Sequence, residues 1–160
     1  MDPLLDYTDK VVLITGAAQG FGKLLAEEFA IRGAKLVLSD YQEEAVIDVA
    51  ESIAASGGQA IGMKCDVAKS EDCKDMVNKA IDAFGSVDIA INNAGIAHDF
   101  MPLHQIDEAV MDKQFEVNVK GVQYGMRYQI EQMLKQGSGS ILNVSSMAGL
   151  CGAAYVAAYG

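Results

Sequence analysis

A doubly wound α/β fold, in which a parallel sheet carries helices on both faces, is predicted by three observations. Short apolar runs alternate with helical patterns along the chain. The helical segments are long enough to cross between parallel strands. A glycine cluster, Gly16, Gly20 and Gly22, sits where the first apolar run turns into the first helical pattern. At 160 residues with 51% hydrophobic content, the chain can bury one sizeable core, so residues 1–160 are expected to form a single three-layer α/β/α unit.

The first strand is Val11–Thr15. Residues 21–32 read as a helix, with Leu25 and Phe29, and Ala26 and Ala30, spaced i,i+4; Gly33 suits a left-handed cap. A second strand over 35–39 leads into a helix over 43–55 that Gly57 and Gly58 end. Gln59–Lys64 is the third strand. Ser70 is placed to cap a helix whose first turn carries Glu71 and Asp72, which complement the positive end of its dipole; Phe84 and Gly85 stop it. Residues 87–91 form the fourth strand. After a loop around Pro102, a long helix over 110–134 is expected to bury Phe115, Val119, Val122, Met126, Ile130 and Met133 or Leu134. Gly137 and Gly139 break it, and residues 140–145 form strand five. No linker, repeat or low-complexity segment interrupts this series.

The glycine turn carries the first chemical signal. Without a β-carbon the backbone turns tightly and approaches a diphosphate, whose charge is met by free amides and the helix dipole. Asp40, 18 residues after Gly22 at the end of the second strand, supplies the acid that accepts both hydroxyls of an adenosine ribose. Its charge repels a 2′-phosphate, and Ala17 and Ala18 offer no cation to hold one, so NAD is expected over NADP. As an alternative, Asp40 caps the following helix. In a doubly wound sheet the ligand lies at the carboxyl edge where strand order reverses. There polar residues abruptly replace apolar ones, at Asn92-Asn93-Ala94-Gly95 and Asn143-Val144-Ser145-Ser146.

Composition narrows the partners. A net charge of −10 with no Lys or Arg cluster argues against nucleic acid or an anionic membrane. The stretch Met1-Asp2-Pro3-Leu4-Leu5-Asp6 shows no basic, then apolar, leader, and no window approaches a membrane span; the cytoplasm is expected. Cys65, Cys73 and Cys151 are odd in number and lack CxxC spacing, so they read as reduced filler. His98 and His104, six apart in a loop, lack ligand spacing, and no metal is expected.

Thr15 to Gly22 as TGxxxGxG, Asp40, Asp66-Val67, NNAG at 92–95, Asn118 in a long helix and paired serines ahead of a tyrosine fall in one order. The chain resembles the NAD-dependent short-chain dehydrogenase/reductase family over essentially its whole length. The resemblance implies that Gly16, Gln19, Gly20, Phe21 and Gly22 hold the diphosphate, with Asp40 and Tyr41 at the adenosine end. It implies that Asp66 meets the adenine amine, that Val67 packs near the base, and that Asn93, Ala94 and Gly95 pass beneath the cofactor. It further implies hydride exchange between NAD and a secondary alcohol or ketone, with a tyrosine as acid and base. A tyrosine serves as base only where positive charge lowers a pKa of roughly 10; in the family a lysine four residues on supplies it.

Tyr155 and Tyr159 compete for that role. Ser146 lies 13 residues before Tyr159, the family interval, whereas Tyr155 has Tyr159 where the lysine belongs. The expected catalytic set is therefore Asn118, Ser146 and Tyr159, with Asn118 binding a water that links the lysine to solvent and Ser145 a sheet or cofactor-edge residue. The lysine falls at position 163, past Gly160. The chain is thus read as the amino-terminal portion of a longer enzyme, incomplete at the carboxyl end of its sheet and inactive alone. The family also implies a homodimer or homotetramer pairing through the long helix and the tyrosine-bearing helix. A non-catalytic NAD-binding or sensing protein is the alternative.

Overall fold

The computed structural model describes residues 5–160; the first four residues of the stretch expected to carry no leader lie outside the described residues. Five parallel strands, β1 (Val11–Thr15), β2 (Lys35–Asp40), β3 (Gln59–Lys64), β4 (Ile89–Asn92) and β5 (Ser140–Asn143), form one sheet in the order β3-β2-β1-β4-β5. The chain winds outward from β1 through β2 to β3. It then crosses to β4 and β5 on the other side, so the reversal falls between β1 and β4.

Alternation along the strands divides the core. Val12, Ile14, Leu36, Leu38 and Ile91 face α1 (Gly20–Ile31) and α2 (Glu43–Ala55), where Ala26, Val46, Val49, Ala50 and Ile53 meet them. Val11, Leu13, Val37 and Ala90 point the opposite way, onto Met76, Val77 and Ala80 of α3 (Ser70–Phe84) and Met133 of α5 (Gly121–Gln136). Both faces of β1 and β2 are covered, which is why these strands read as unbroken apolar runs.

The structure corrects several expectations. Ser70 does not cap α3: Lys69 precedes the helix without a side-chain cap, and the Ser70 hydroxyl instead pairs with Tyr128 Oη at 2.9 Å. Strand four begins at Ile89, not residue 87, and strand five ends at Asn143, not residue 145. The long helix is α4 (Glu108–Phe115), a π-helical turn (Glu116–Lys120) and α5. Its buried line is Gln114, Val117, Gly121, Gly125, Gln129 and Met133, while Phe115, Val119, Ile130 and Leu134 are exposed. Close approach is the reason. A β-carbon at Gly121 would stand 2.8 Å from Val67 Cγ2, and one at Gly125 2.6 Å from Asn92 Oδ1, so at these two positions the face has no room for a side chain. Gln129, fully buried, closes a paired amide contact with Asn92 (3.0 and 2.8 Å), and Asn92 also donates to Asn143 Oδ1 at 2.8 Å.

Candidate active site

The turn after β1 is shaped by backbone demands. Gly16 (φ +67°) and Gly20 (φ +56°) occupy the left-handed region, where a β-carbon is strained. A β-carbon at Gly16 would also lie 2.8 Å from Ala94 Cα, and one at Gly22 2.1 Å from the Gly16 carbonyl oxygen. The turn is therefore pressed against the NNAG segment. Gln19 enters α1 in extended conformation with no side-chain cap, so the first-turn amides of Gly20, Phe21 and Gly22 keep their donor capacity. Space opens beside Gly20, where a β-carbon would meet no atom within 4 Å.

Asn93 and Thr15 lock the two strand ends together. Asn93 Nδ2 donates to the carbonyls of Thr15 (2.9 Å) and Gly16 (3.1 Å), and Thr15 Oγ1 accepts from the amides of Asn93 and Ala94, both at 3.0 Å. An Asn93→Ala variant loses both side-chain bonds and leaves carbonyls of the turn without these donors. It is expected to lose about 1–3 kcal/mol of stability, read as a clear fall in thermal midpoint; an unchanged midpoint contradicts this anchoring role.

Asp40 is held on the other side of the turn. Its Oδ2 accepts from the Ala18 amide and its Oδ1 from the Gln42 amide, both at 3.0 Å. It thus bends the chain locally into α2 but does not accept from the helix interior. The carboxylate is fixed at the end of β2.

These segments enclose a cleft of about 420 Å³ at the carboxyl edge of the sheet, across the reversal point. Its wall brings together Gly16, Gln19, Asp40, Tyr41, Asp66, Val67, Asn93, Ala94 and Gly95 from four separate strand ends. Gly20, Phe21 and Gly22 follow Gln19 on the first turn of α1 but do not themselves line the cleft, and Phe21 is exposed. Asp66 Oδ1 accepts from the Ala68 amide at 3.1 Å, and the Asp66 amide donates to Asp72 Oδ2 at 2.9 Å, which fixes the bend after β3. An open diphosphate cradle, a fixed acid and an apolar wall from Val67 and Val117 suit an adenine dinucleotide.

Asn118 sits in the π-helical turn. Its Oδ1 accepts from the Ile96 amide (2.8 Å), while its Nδ2 donates to the Ile96 carbonyl (2.8 Å) and Gln114 Oε1 (3.0 Å). This clamps the loop that follows NNAG. Ser146 and Ser145 lie past the end of β5; Ser146 Oγ accepts from the Ala148 amide at 3.2 Å and caps a short 3₁₀ turn, Met147–Gly149. Tyr159 lies in a turn, not on a regular helix, its amide donating to the Val156 carbonyl at 3.0 Å. A β-carbon on the adjoining Gly160 would stand 3.0 Å from the Ala148 carbonyl, so the tyrosine's neighbour packs on the turn that Ser146 caps. Tyr155, with φ +67°, accepts from the Met101 amide at 3.0 Å and ties the loop after NNAG to this segment.

Residues that the sequence reading missed complete the site. Gln42, Cys65, Lys113 and Val117 also line the cleft beside Ile96, the first residue of the loop after NNAG, and Thr15 acts through its hydroxyl. Only Thr15 carried a signal, as the first residue of the glycine motif. A neighbouring cleft of about 380 Å³ shares Ile96 and Lys113 and includes His98 and Met101. His98 Nδ1 contacts the Asp99 carbonyl at 2.6 Å, and its buried Nε2 has no hydrogen-bond partner among the described residues. No cluster of three or more potential metal ligands, and no helix long and apolar enough to cross a membrane, occurs among the described residues.

The short chain dehydrogenase family model matches residues 10–160. An uncharacterized oxidoreductase of Thermotoga maritima is 45% identical over 148 residues, 92% of this chain and 58% of that protein. A cyclohexanol dehydrogenase of Acinetobacter sp. is 37% identical over 153 residues, covering 96% of this chain and 61% of the relative. The crystal structure of a short chain dehydrogenase/reductase from Burkholderia phymatum in complex with NAD superposes with a TM-score of 0.93 at 35% identity, over 96% of this chain and 55% of that one. The chain thus spans 55–61% of the length of these relatives.

Proposed function

The chain belongs to the short-chain dehydrogenase family, and on that premise we propose that residues 1–160 form the dinucleotide-binding domain of an oxidoreductase that exchanges a hydride between NAD(H) and a secondary alcohol or ketone. The observation that carries the cofactor choice is the Asp40 carboxylate, fixed by two amides at the cleft wall beside the glycine turn. It accepts the ribose hydroxyls, and its charge opposes a 2′-phosphate. Gly16 and the first-turn amides of α1 hold the diphosphate; Asp66, Val67 and Ala94 border the adenine.

When bound, the nicotinamide accepts or returns the hydride. The chain supplies the proton chemistry. Ser146 Oγ uses a lone pair to accept from Ala148, which leaves its own proton free to donate to the substrate oxygen. Tyr159 takes the hydroxyl proton through its phenol oxygen, and Asn118 holds the neighbouring loop and a water of the proton path. Ala97, Met101 and Val110 give the neighbouring cleft an apolar wall with His98 as a polar contact, and Phe100, Leu103 and Leu150 are strongly exposed. Together with the cyclohexanol dehydrogenase of Acinetobacter among its relatives, this supports an alicyclic secondary alcohol as the substrate class. The exposed stripe of Phe115, Val119, Ile130 and Leu134 supports pairing of copies through α4 and α5 into a homodimer or homotetramer. The cytoplasm is the proposed location.

Calorimetric titration should show NAD binding in preference to NADP and to S-adenosylmethionine. In a chain that includes the residues after Gly160, cyclohexanol should drive NADH formation. Tyr159→Phe should lower kcat by roughly 10²–10⁴-fold, whereas residues 1–160 alone should turn over little. Retention of full turnover by the Phe variant would remove Tyr159 from the mechanism.

A further inference from the structure

Cys65 and Cys73 are eight positions apart, yet they share one buried cluster with Val67 and Val117. Cys65 follows β3 and forms part of the cofactor-cleft wall; Cys73 stands in the first turn of α3. Cys73 Sγ is 3.6 Å from the Val67 carbonyl oxygen. The neighbouring Cys73 thiol and burial push the Cys65 thiol up, while the Cys73 thiol is held below its usual range by Cys65. Within this shared cluster a disulfide requires the two sulfurs to close to a bond length of about 2.05 Å. Both cysteines are free thiols, and Cys151 is a third, exposed one.

The short segment between the pair carries Asp66 and Val67, two residues of the cleft wall. Shortening the distance between β3 and the first turn of α3 must move that segment. It must also disturb the Asp66 amide's bond to Asp72 Oδ2, since Asp72 adjoins Cys73.

We propose that Cys65 and Cys73 are a peroxide-oxidisable dithiol, and that disulfide formation and dinucleotide binding oppose each other; the second half rests on the NAD reading above. One thiolate attacks hydrogen peroxide, the O–O bond breaks, and a sulfenic acid and hydroxide result. The second thiol attacks that sulfur: the S–S bond forms, the S–O bond breaks, and the thiol proton leaves with the oxygen as water. Overall two thiols lose two electrons and two protons, and one peroxide becomes two waters. Peroxide enters through the open cleft that Cys65 borders. A dinucleotide lying there closes the route and holds Asp66 and Val67 in place. Linkage then requires that oxidation weaken NAD by the factor by which NAD disfavours oxidation.

The test uses residues 1–160 carrying Cys151→Ser, treated with hydrogen peroxide with and without NAD, then unfolded, alkylated and weighed. The expected product has lost two hydrogen atoms, takes no alkyl group, and reverts with dithiothreitol. It should bind NAD about tenfold more weakly in calorimetry, and saturating NAD should slow its formation. Two alkylatable thiols after treatment, or added oxygen without a cross-link, overturn the dithiol. Cys73→Ser and Cys65→Ser, each with native circular dichroism, should both abolish the two-hydrogen loss; its persistence in either also overturns the pairing. A disulfide that leaves NAD affinity unchanged overturns the opposition. Failure of the reduced chain to bind NAD overturns the cofactor reading and the opposition with it, while the mass change still judges the dithiol.

Discussion

Replacing Gly22 by alanine is expected to remove NAD binding and to lower stability together. The added carbon would stand 2.1 Å from the Gly16 carbonyl oxygen and 2.6 Å from Asn93 Nδ2, and the first of these is backbone. It cannot swing aside as a flexible side chain does, so α1 must move away from the turn. Overpacking of this kind costs about 1–3 kcal/mol, a fall in Tm of roughly 2–10 °C for a domain of this size. The same displacement carries the first-turn amides off the diphosphate. Loss of two charge-assisted hydrogen bonds, roughly 1.5–3 kcal/mol each, weakens NAD by at least about a hundredfold. Gly20→Ala is the control, because a β-carbon there meets no protein atom. Only its positive φ is strained, so its Tm should fall less. Calorimetric titration and thermal denaturation of both variants read the difference, and an unchanged NAD affinity for Gly22→Ala would refute the close-packed cradle.

Asp40→Ala should narrow or invert the preference for NAD over NADP. The carboxylate accepts from Ala18 and Gln42 and remains at the cleft wall, so its removal takes away both the acceptor for the ribose hydroxyls and the charge that repels a 2′-phosphate. Hydrogen bonds to a charged group contribute roughly 1.5–3 kcal/mol, so NAD affinity should fall about 10–100-fold while NADP affinity holds or rises. Asp40→Asn separates charge from shape. It retains one oxygen acceptor for the turn amides without the negative charge, and should also relax the preference. Dissociation constants for the two dinucleotides decide the matter; an unchanged ratio in both variants ends the assignment of Asp40.

Much of this site was legible because its constraints are local. Gly16, Gly20 and Gly22 announce a backbone that no other residue fits, and Asp40 announces itself by ending an apolar strand. The helices over 43–55 and 70–84 were placed correctly, since apolar spacing and terminal glycines act within a few turns. The cap at Ser70 failed for a reason visible only in space: Tyr128, 58 residues away, offers its hydroxyl a partner. Lys113 and Val117 reach the cleft by tertiary placement alone, and the meeting of Cys65 with Cys73 depends on how tightly the bend after β3 folds onto α3.

By itself the sequence determined the alternation of strands and helices, the position of the glycine turn and the acid that ends the second strand, because each depends on torsional freedom or on periodicity within one segment. Tertiary structure alone decided which side of the long helix is buried. Periodicity measures how apolar a face is, but Phe115, Val119, Ile130 and Leu134 were left outside because Gly121 and Gly125 let the helix approach Val67 and Asn92 to a distance that large side chains forbid. Packing distance, not hydrophobicity, chose the face, and a distance between remote segments is not written in either of them.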